Sequence, residues 1–143
     1  MGNSVLIPYD GSEQADRAVA HAIERFADSK LVMLTVINPA ESVYATGEGA
    51  VSPFPENWYE SAEEQAKEMV ARAIEQAEEA GVDASSDVVV GRPGRAIVDY
   101  AQEHDMDHIV MGSHGRSGVS RILLGSVAET VIRRSPVPVT VIR

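Results

Sequence analysis

The residues with the most chemistry to offer lie between His108 and Ser126, in the run HIVMGSHGRSGVSRILLGS. A short apolar segment, Ile109 to Met111, stops at Gly112, and Ser113, His114, Gly115, Arg116, Ser117 and Gly118 follow. A second apolar segment, Ile122 to Leu124, leads into Gly125 and Ser126, where a helical pattern starts. The skeleton is G-x2-G-x9-G-S/T, carried by Gly112, Gly115, Gly125 and Ser126. Glycine lets backbone N–H groups approach a ligand closely and tolerates positive φ. A buried strand running into such a loop, and then into a helix N-terminus, makes an anion cradle. Ser126 is placed to cap that helix and to offer its hydroxyl to a phosphate oxygen. Ser113, His114 and Arg116 share the loop and are candidate phosphate contacts.

A second polar point is Asp10, in Asp10-Gly11-Ser12. It serves either as a turn residue or as a carboxylate for a ligand's hydroxyl groups. Which of these holds depends on the elements around it. Ser4 to Tyr9 reads as a buried strand, and Ser12 caps a helix with Ala15, Ala18, Val19, Ala22, Ile23 and Phe26 at helical spacing. Lys30 to Ile37 is a continuous apolar strand whose lack of alternation predicts burial on both faces, as in a parallel sheet. Asn38 to Pro55 is irregular, with prolines, glycines, Tyr44 and Phe54. Trp58 to Ala80 is a long helix with a Glu-rich solvated face. A third strand spans Val82 to Val90, best formed over Asp87 to Val90, and a helix through Ala96, Ile97, Tyr100 and Ala101 follows. Ile109 to Met111 is the fourth strand, Ser126 to Arg134 the last helix, and Val137 to Ile142 the fifth strand.

This β-α-β-α-β-α-β-α-β alternation, without a second compositional block, predicts one α/β domain over residues 1–143. Its parallel sheet is open and carries helices on both faces. In such sheets ligands sit outside the carboxyl ends of strands where the order reverses. If the first and fourth strands are neighbours, Asp10 and Gly112 face one crevice. A nucleotide suits it: carboxylate to sugar hydroxyls, backbone amides to phosphates, apolar wall to base.

Composition narrows the partners. The chain has 22 acidic and 12 basic residues, a formal charge of −10 and no cysteine. Nucleic acid, which needs a basic face, is therefore not an expected partner. Disulfide and thiolate chemistry are excluded. Lys30 and Lys67 are the two lysines among those basic residues. Acid excess with scarce lysine fits either a salt-adapted (halophilic) cytoplasm or an ordinary acidic protein. No apolar run reaches membrane-spanning length, and the first begins at Val5, too early for a signal segment, so the expected location is the cytoplasm with no membrane contact.

Together these features make the chain resemble the universal stress protein family, in its adenine-nucleotide-binding branch. The resemblance rests on the opening strand with Pro8 and Asp10-Gly11-Ser12, the Gly91-Arg92-Pro93 turn, the full glycine skeleton and the closing Ser135-Pro136-Val137-Pro138-Val139. It implies a Rossmann-like sheet of five parallel strands in the order 3-2-1-4-5. It also implies an ATP or AMP site. Pro8, Met111 and Val127 would wall the adenine, and the Val36 backbone would read its edge. Asp10 and Gly112 would meet the ribose. Gly115, Gly125 and Ser126 would hold the phosphates, with Mg or Mn bridging phosphate oxygens and no protein ligand to the metal. A homodimer joined through Val137 to Ile142 is implied as well. Pro138, lacking an N–H, leaves one position of that strand's ladder incomplete.

Three function classes follow. One is a nucleotide-binding regulator of the stress response, acting as a sensor or switch; this is the preferred reading. Another is a weak metal-dependent ATPase or phosphoryl- or adenylyl-transfer enzyme. The third is an assembly module without ligand, against which the glycine skeleton speaks. Against the enzyme stand the absence of a G-x4-G-K-S/T loop and of an evident general base beside the phosphates. His104 and His108 read as surface residues, and His21 has no evident partner.

Overall fold

Apolar runs without alternation become strands covered on both faces, and helical spacing supplies the covers. A computed structural model describes residues 3–40, 58–114 and 124–143. The elements are β1 (Ser4–Pro8), α1 (Glu13–Arg25), β2 (Lys30–Ile37), α2 (Trp58–Glu79), β3 (Ala84–Val90), α3 (Pro93–Glu103), β4 (His108–Gly112), α4 (Ser126–Arg134) and β5 (Val139–Ile142). The strands form one sheet in the order β3-β2-β1-β4-β5, every pair parallel, which is the expected topology.

Alternation along the strands builds two cores. Val5, Ile7, Leu31, Met33 and Val110 point to the layer of α1 and α2, where Ala15, Ala18, Val19, Ala22, Val70, Ala73 and Ala77 meet them. Leu6, Val32, Leu34, Ile109 and Met111 point to the layer of α3 and α4, against Ile97, Tyr100, Ala101, Ala128 and Val131. The alanines of α1 recur at i, i+3 and i+7 and bring the helix backbone close to the sheet. Ser12 caps α1, its Oγ accepting from the Ala15 N–H at 3.1 Å.

Two strand boundaries differ from the pattern. β3 begins at Ala84 and pairs with β2 from Leu31↔Ala84 to Ile37↔Val90, although Ser85, Ser86 and Asp87 are polar. As an edge strand it is held by the backbone ladder and can expose polar side chains. β5 begins at Val139, two residues later than the apolar run suggests. The Ser135 hydroxyl takes over the earlier backbone: it donates to the Val137 carbonyl at 2.7 Å and accepts from the Val137 N–H at 3.1 Å.

Candidate functional site

β1 is paired with β2 on one side and β4 on the other, with Leu6 opposite Ile109. The order of the sheet reverses between β1 and β4, so the carboxyl ends of these two strands, Pro8 and Gly112, open on one crevice. Both α1 and α4 begin at this end of the sheet, and both direct the positive end of the helix dipole there.

At the end of β1 the chain turns through Gly11, whose φ of +80° is a left-handed conformation that suits glycine. The Asp10 Oδ1 accepts from the Ser12 N–H at 2.9 Å. Asp10 thus has the turn role, and its carboxylate also stands at the switch point. Beside it, the Tyr9 hydroxyl donates to Asp16 Oδ1. Burial first, and then this hydrogen bond, raise the Tyr9 pKa well above the ordinary tyrosine value.

The end of β4 is built more tightly. A Cβ on Gly112 would lie 2.8 Å from the Gln14 Cβ and 3.2 Å from the Gln14 carbonyl carbon, so the start of α1 reaches β4 only because residue 112 has no side chain. Gln14 Oε1 accepts from the His114 N–H and, at 3.1 Å, from the Ser113 hydroxyl. Ser113 is 2% exposed. Its N–H donates to the Ile142 carbonyl at 2.7 Å, and its own carbonyl accepts from the Gly125 N–H at 2.7 Å. Residue 125 is therefore bonded back onto residue 113. Here too the glycine serves close approach: its φ is −74°, but a Cβ would sit 3.0 Å from the Ser113 oxygen. Neither Gly112 nor Gly125 adopts the positive φ that the glycine-rich pattern suggested.

Ser126 does not cap α4. The N-cap is Gly125 and Ser126 is the first helical residue, exposed, with no side-chain cap bond at this terminus. The first-turn amides thus lack the side-chain acceptor that a capping serine supplies.

The apolar residues named for the base share one face of the sheet. Val36, Met111 and Val127 join Leu34 and Leu124 in the core on the α4 side of the sheet. Pro8, opposite Leu34, lies on the same face. The Tyr9 N–H donates to the Leu34 carbonyl, and the Ile37 carbonyl accepts from Gly91. By strand alternation the Val36 backbone groups therefore point toward β1, which has already ended. Gly115 and Arg116 lie outside the described residues, as do Ser117, Gly118, Ile122, Tyr44 and Phe54.

Gln14 escaped the sequence reading. The available signal was its place in the first turn after the β1 turn, where a doubly wound sheet brings α1 against the neighbouring strand. His108 is not a simple surface residue: it is half-buried, its Nε2 lies 2.7 Å from the Thr140 Oγ1, and the Phe26 ring is 4.8 Å away. His104 is exposed and stacks on Tyr100, and His21 meets the edge of Phe26. Among the described residues no three His, Asp or Glu groups gather as for a metal ion, and no helix is long and apolar enough to cross a membrane. Two grooves flank the edge strand β3 elsewhere. One, lined by Asp87, Arg95, Tyr100 and His104, and one, lined by Lys67, Ile74, Glu78 and Ser86, both lie away from Gly112 and Gly125.

Known proteins share this fold. The model of the universal stress protein family matches residues 1–143. The chain belongs to the universal stress protein family. Universal stress protein MJ0531 of Methanocaldococcus jannaschii is 35% identical over 141 residues, which cover 97% of this chain and 81% of that protein. Universal stress protein MJ0577 of the same organism is 32% identical, with 100% and 96% covered. The solved structure of MJ0577 superposes with a TM-score of 0.82, covering 99% of this chain and 96% of that one. A universal stress protein solved in complex with cAMP is 30% identical, with a TM-score of 0.68 over 99% of this chain and 97% of that one. The order 3-2-1-4-5 and the two-layer helix arrangement are therefore the universal stress protein fold carried by this sequence.

Proposed function

We propose that this chain binds an adenine nucleotide, ATP or AMP, in the crevice between β1 and β4 and acts as a nucleotide-dependent switch in the stress response. The observation that carries this reading is the Gly125-to-Ser113 bond, which sets an α4 N-terminus without a side-chain cap beside the end of β4. The apolar wall of Pro8, Met111 and Val127 takes the adenine, the Val36 backbone reads its edge, and Asp10 and Gly112 take the ribose. Gly115, Gly125 and Ser126 take the phosphates, with Ser113, His114 and Arg116 as further contacts. Two of these, Gly115 and Arg116, are assigned from the motif alone. Mg or Mn, carried on phosphate oxygens, would neutralise their charge. The relative bound to cAMP supports adenine as the base. We further propose a cytoplasmic homodimer joined through the edge strand β5.

Titration calorimetry with ATP and with AMP, each with magnesium, tests the reading. The expected result is one nucleotide per chain, and release of a purine nucleotide from denatured protein by mass spectrometry would agree with it. Absence of binding to either nucleotide would overturn it.

A further inference from the structure

The three side chains at the end of β4 fix one another's hydrogens. The His114 backbone N–H can only donate, so the Gln14 atom that it meets is the oxygen, whichever way the amide is turned. The Ser113 Oγ lies 3.1 Å from that same oxygen and must donate to it. A hydroxyl has one hydrogen. Toward His114 Nδ1, 3.2 Å away, Ser113 Oγ can then only accept, so Nδ1 carries the imidazole hydrogen. In the neutral ring Nε2 is left with a lone pair. That nitrogen is buried and has no hydrogen-bond partner among the described residues. The ring carbon bonded to it, Cδ2, would stand 3.5 Å from a Cβ on Gly125, so this side of the imidazole lies against the N-cap of α4.

We infer that Gln14 is a positioning residue that holds His114 as its Nδ1–H tautomer, and that an anion at the α4 N-terminus is therefore bound by His114 only together with a proton. The anion's location rests on the nucleotide reading above. A phosphate oxygen without hydrogen cannot bond to a lone pair. When Nε2 takes a proton from solvent, the ring becomes an imidazolium and Nε2–H donates to the phosphate. The opposite tautomer would offer Nε2–H without proton uptake, and the Gln14–Ser113 chain excludes it.

Charged groups on the neighbouring elements have identified engagements of their own. Asp10 accepts from Ser12, Asp16 from the Tyr9 hydroxyl, Glu129 pairs with Arg133 at 2.9 Å, and Arg17 donates to the Arg143 carbonyl at 3.1 Å. Glu13, in the first turn of α1, is exposed.

Two measurements test the inference separately from the nucleotide reading. Long-range proton–nitrogen spectra of the His114 ring in the free protein should show hydrogen on Nδ1 and a bare Nε2 in the neutral state. Gln14→Glu, which keeps an acceptor oxygen, should preserve this pattern, and Gln14→Leu should mix the tautomers. A neutral wild-type ring with hydrogen on Nε2 would overturn the inference. Calorimetry of ATP with magnesium in buffers of different ionisation enthalpy then reads protons directly. Wild type should take up a fraction of one proton, His114→Gln none, and Gln14→Leu less than wild type. Wild-type affinity should fall with rising pH by up to about tenfold per pH unit, the limit for one linked proton. Binding with equal heats in all buffers would overturn the coupling and leave the nucleotide reading standing. Absence of any nucleotide binding would overturn that reading and the coupling together, and the tautomer would still be decided by the spectra.

Discussion

The Ser113 carbonyl accepts from the Gly125 N–H at 2.7 Å, while the Ser113 N–H donates to Ile142. One residue at the end of β4 is thus tied to the last strand and to the start of α4. The bond places the start of α4 against the end of β4. Gly112 and Gly125 both stand where a Cβ would be crowded, by the start of α1 at Gly112 and by the Ser113 carbonyl at Gly125.

Gly125→Val should therefore do two things. A Cβ 3.0 Å from the Ser113 oxygen forces the two backbones apart, at a cost of about 1–3 kcal/mol for overpacking. Nucleotide affinity should fall by at least about tenfold as the amides of α4 move away from the phosphates, equivalent to about 1.4 kcal/mol. Gly125→Ala should give a smaller effect of the same kind. Calorimetry with ATP and magnesium, set beside urea unfolding, checks both. Unchanged affinity in Gly125→Val would remove this residue from the cradle.

Much of this arrangement was legible in the sequence, for a physical reason. A short, unalternating apolar run such as Lys30–Ile37 suits a doubly covered strand, and the glycine skeleton marks where backbones converge. The rest depended on partners distant in sequence. Gln14 meets Ser113 and His114 across about a hundred residues, and no local pattern announces that contact. Ser126 carries a residue type typical of caps, yet the bond from Gly125 to Ser113 makes the glycine the capping position. His108, at a strand boundary, read as a surface residue, but Phe26 and Thr140 reach it from elsewhere in the chain.

The outer edge of β3 is guarded by Asp87. The Gly91 N–H and the Asp83 carbonyl both bond to β2, so by alternation the Val88 N–H points away from the sheet. Asp87 Oδ1 accepts from that N–H at 2.8 Å, and its Oδ2 accepts from the Tyr100 hydroxyl at 2.8 Å. A carboxylate on an edge amide discourages pairing with another chain. Asp87→Ala should free the amide and produce association beyond the wild-type mass in light scattering, whereas Asp87→Asn, which keeps an oxygen, should not. Tyr100→Phe should cost no more than about 0.5–1.5 kcal/mol, because Asp87 is exposed and water can replace the lost donor. A wild-type mass for Asp87→Ala would show that the edge is protected by other means.

His108 supplies an acid-side test. Burial first, and the positive charge of His21 second, hold its pKa below the ordinary histidine value. On acidification the unfolded chain takes up this proton first, beginning near about pH 6.5. Below that pH the unfolded state binds more protons than the folded one, so stability falls as pH falls through the folded value. Urea midpoints between pH 7 and pH 5 should drop further in wild type than in His108→Gln. Equal drops would place the acid sensitivity elsewhere.

The opposite edge, β5, carries the proposed dimer. Ile109 donates to the Pro138 carbonyl and Ser113 to the Ile142 carbonyl, so the even residues of this strand face β4. The N–H that Pro138 lacks therefore falls on the inner side, and the outward amides of Val139 and Val141 are intact. A second copy can pair with them in antiparallel fashion about a two-fold axis, as an isologous contact requires. This segment itself leaves apolar surface here: Val137, Val139 and Val141 are only partly buried. Thr140→Pro would remove an inward amide and so damage the chain's own ladder. Val141→Pro removes an outward one, which an edge strand tolerates. Each chain carries a formal charge of −10, so two copies repel at long range, and salt screens that repulsion. Wild type should therefore sediment with the mass of two chains at micromolar concentration, more completely in molar than in dilute potassium chloride. Val141→Pro should sediment as one chain with an unchanged circular dichroism spectrum. A wild-type mass of one chain at both salt concentrations would rule out the β5 dimer.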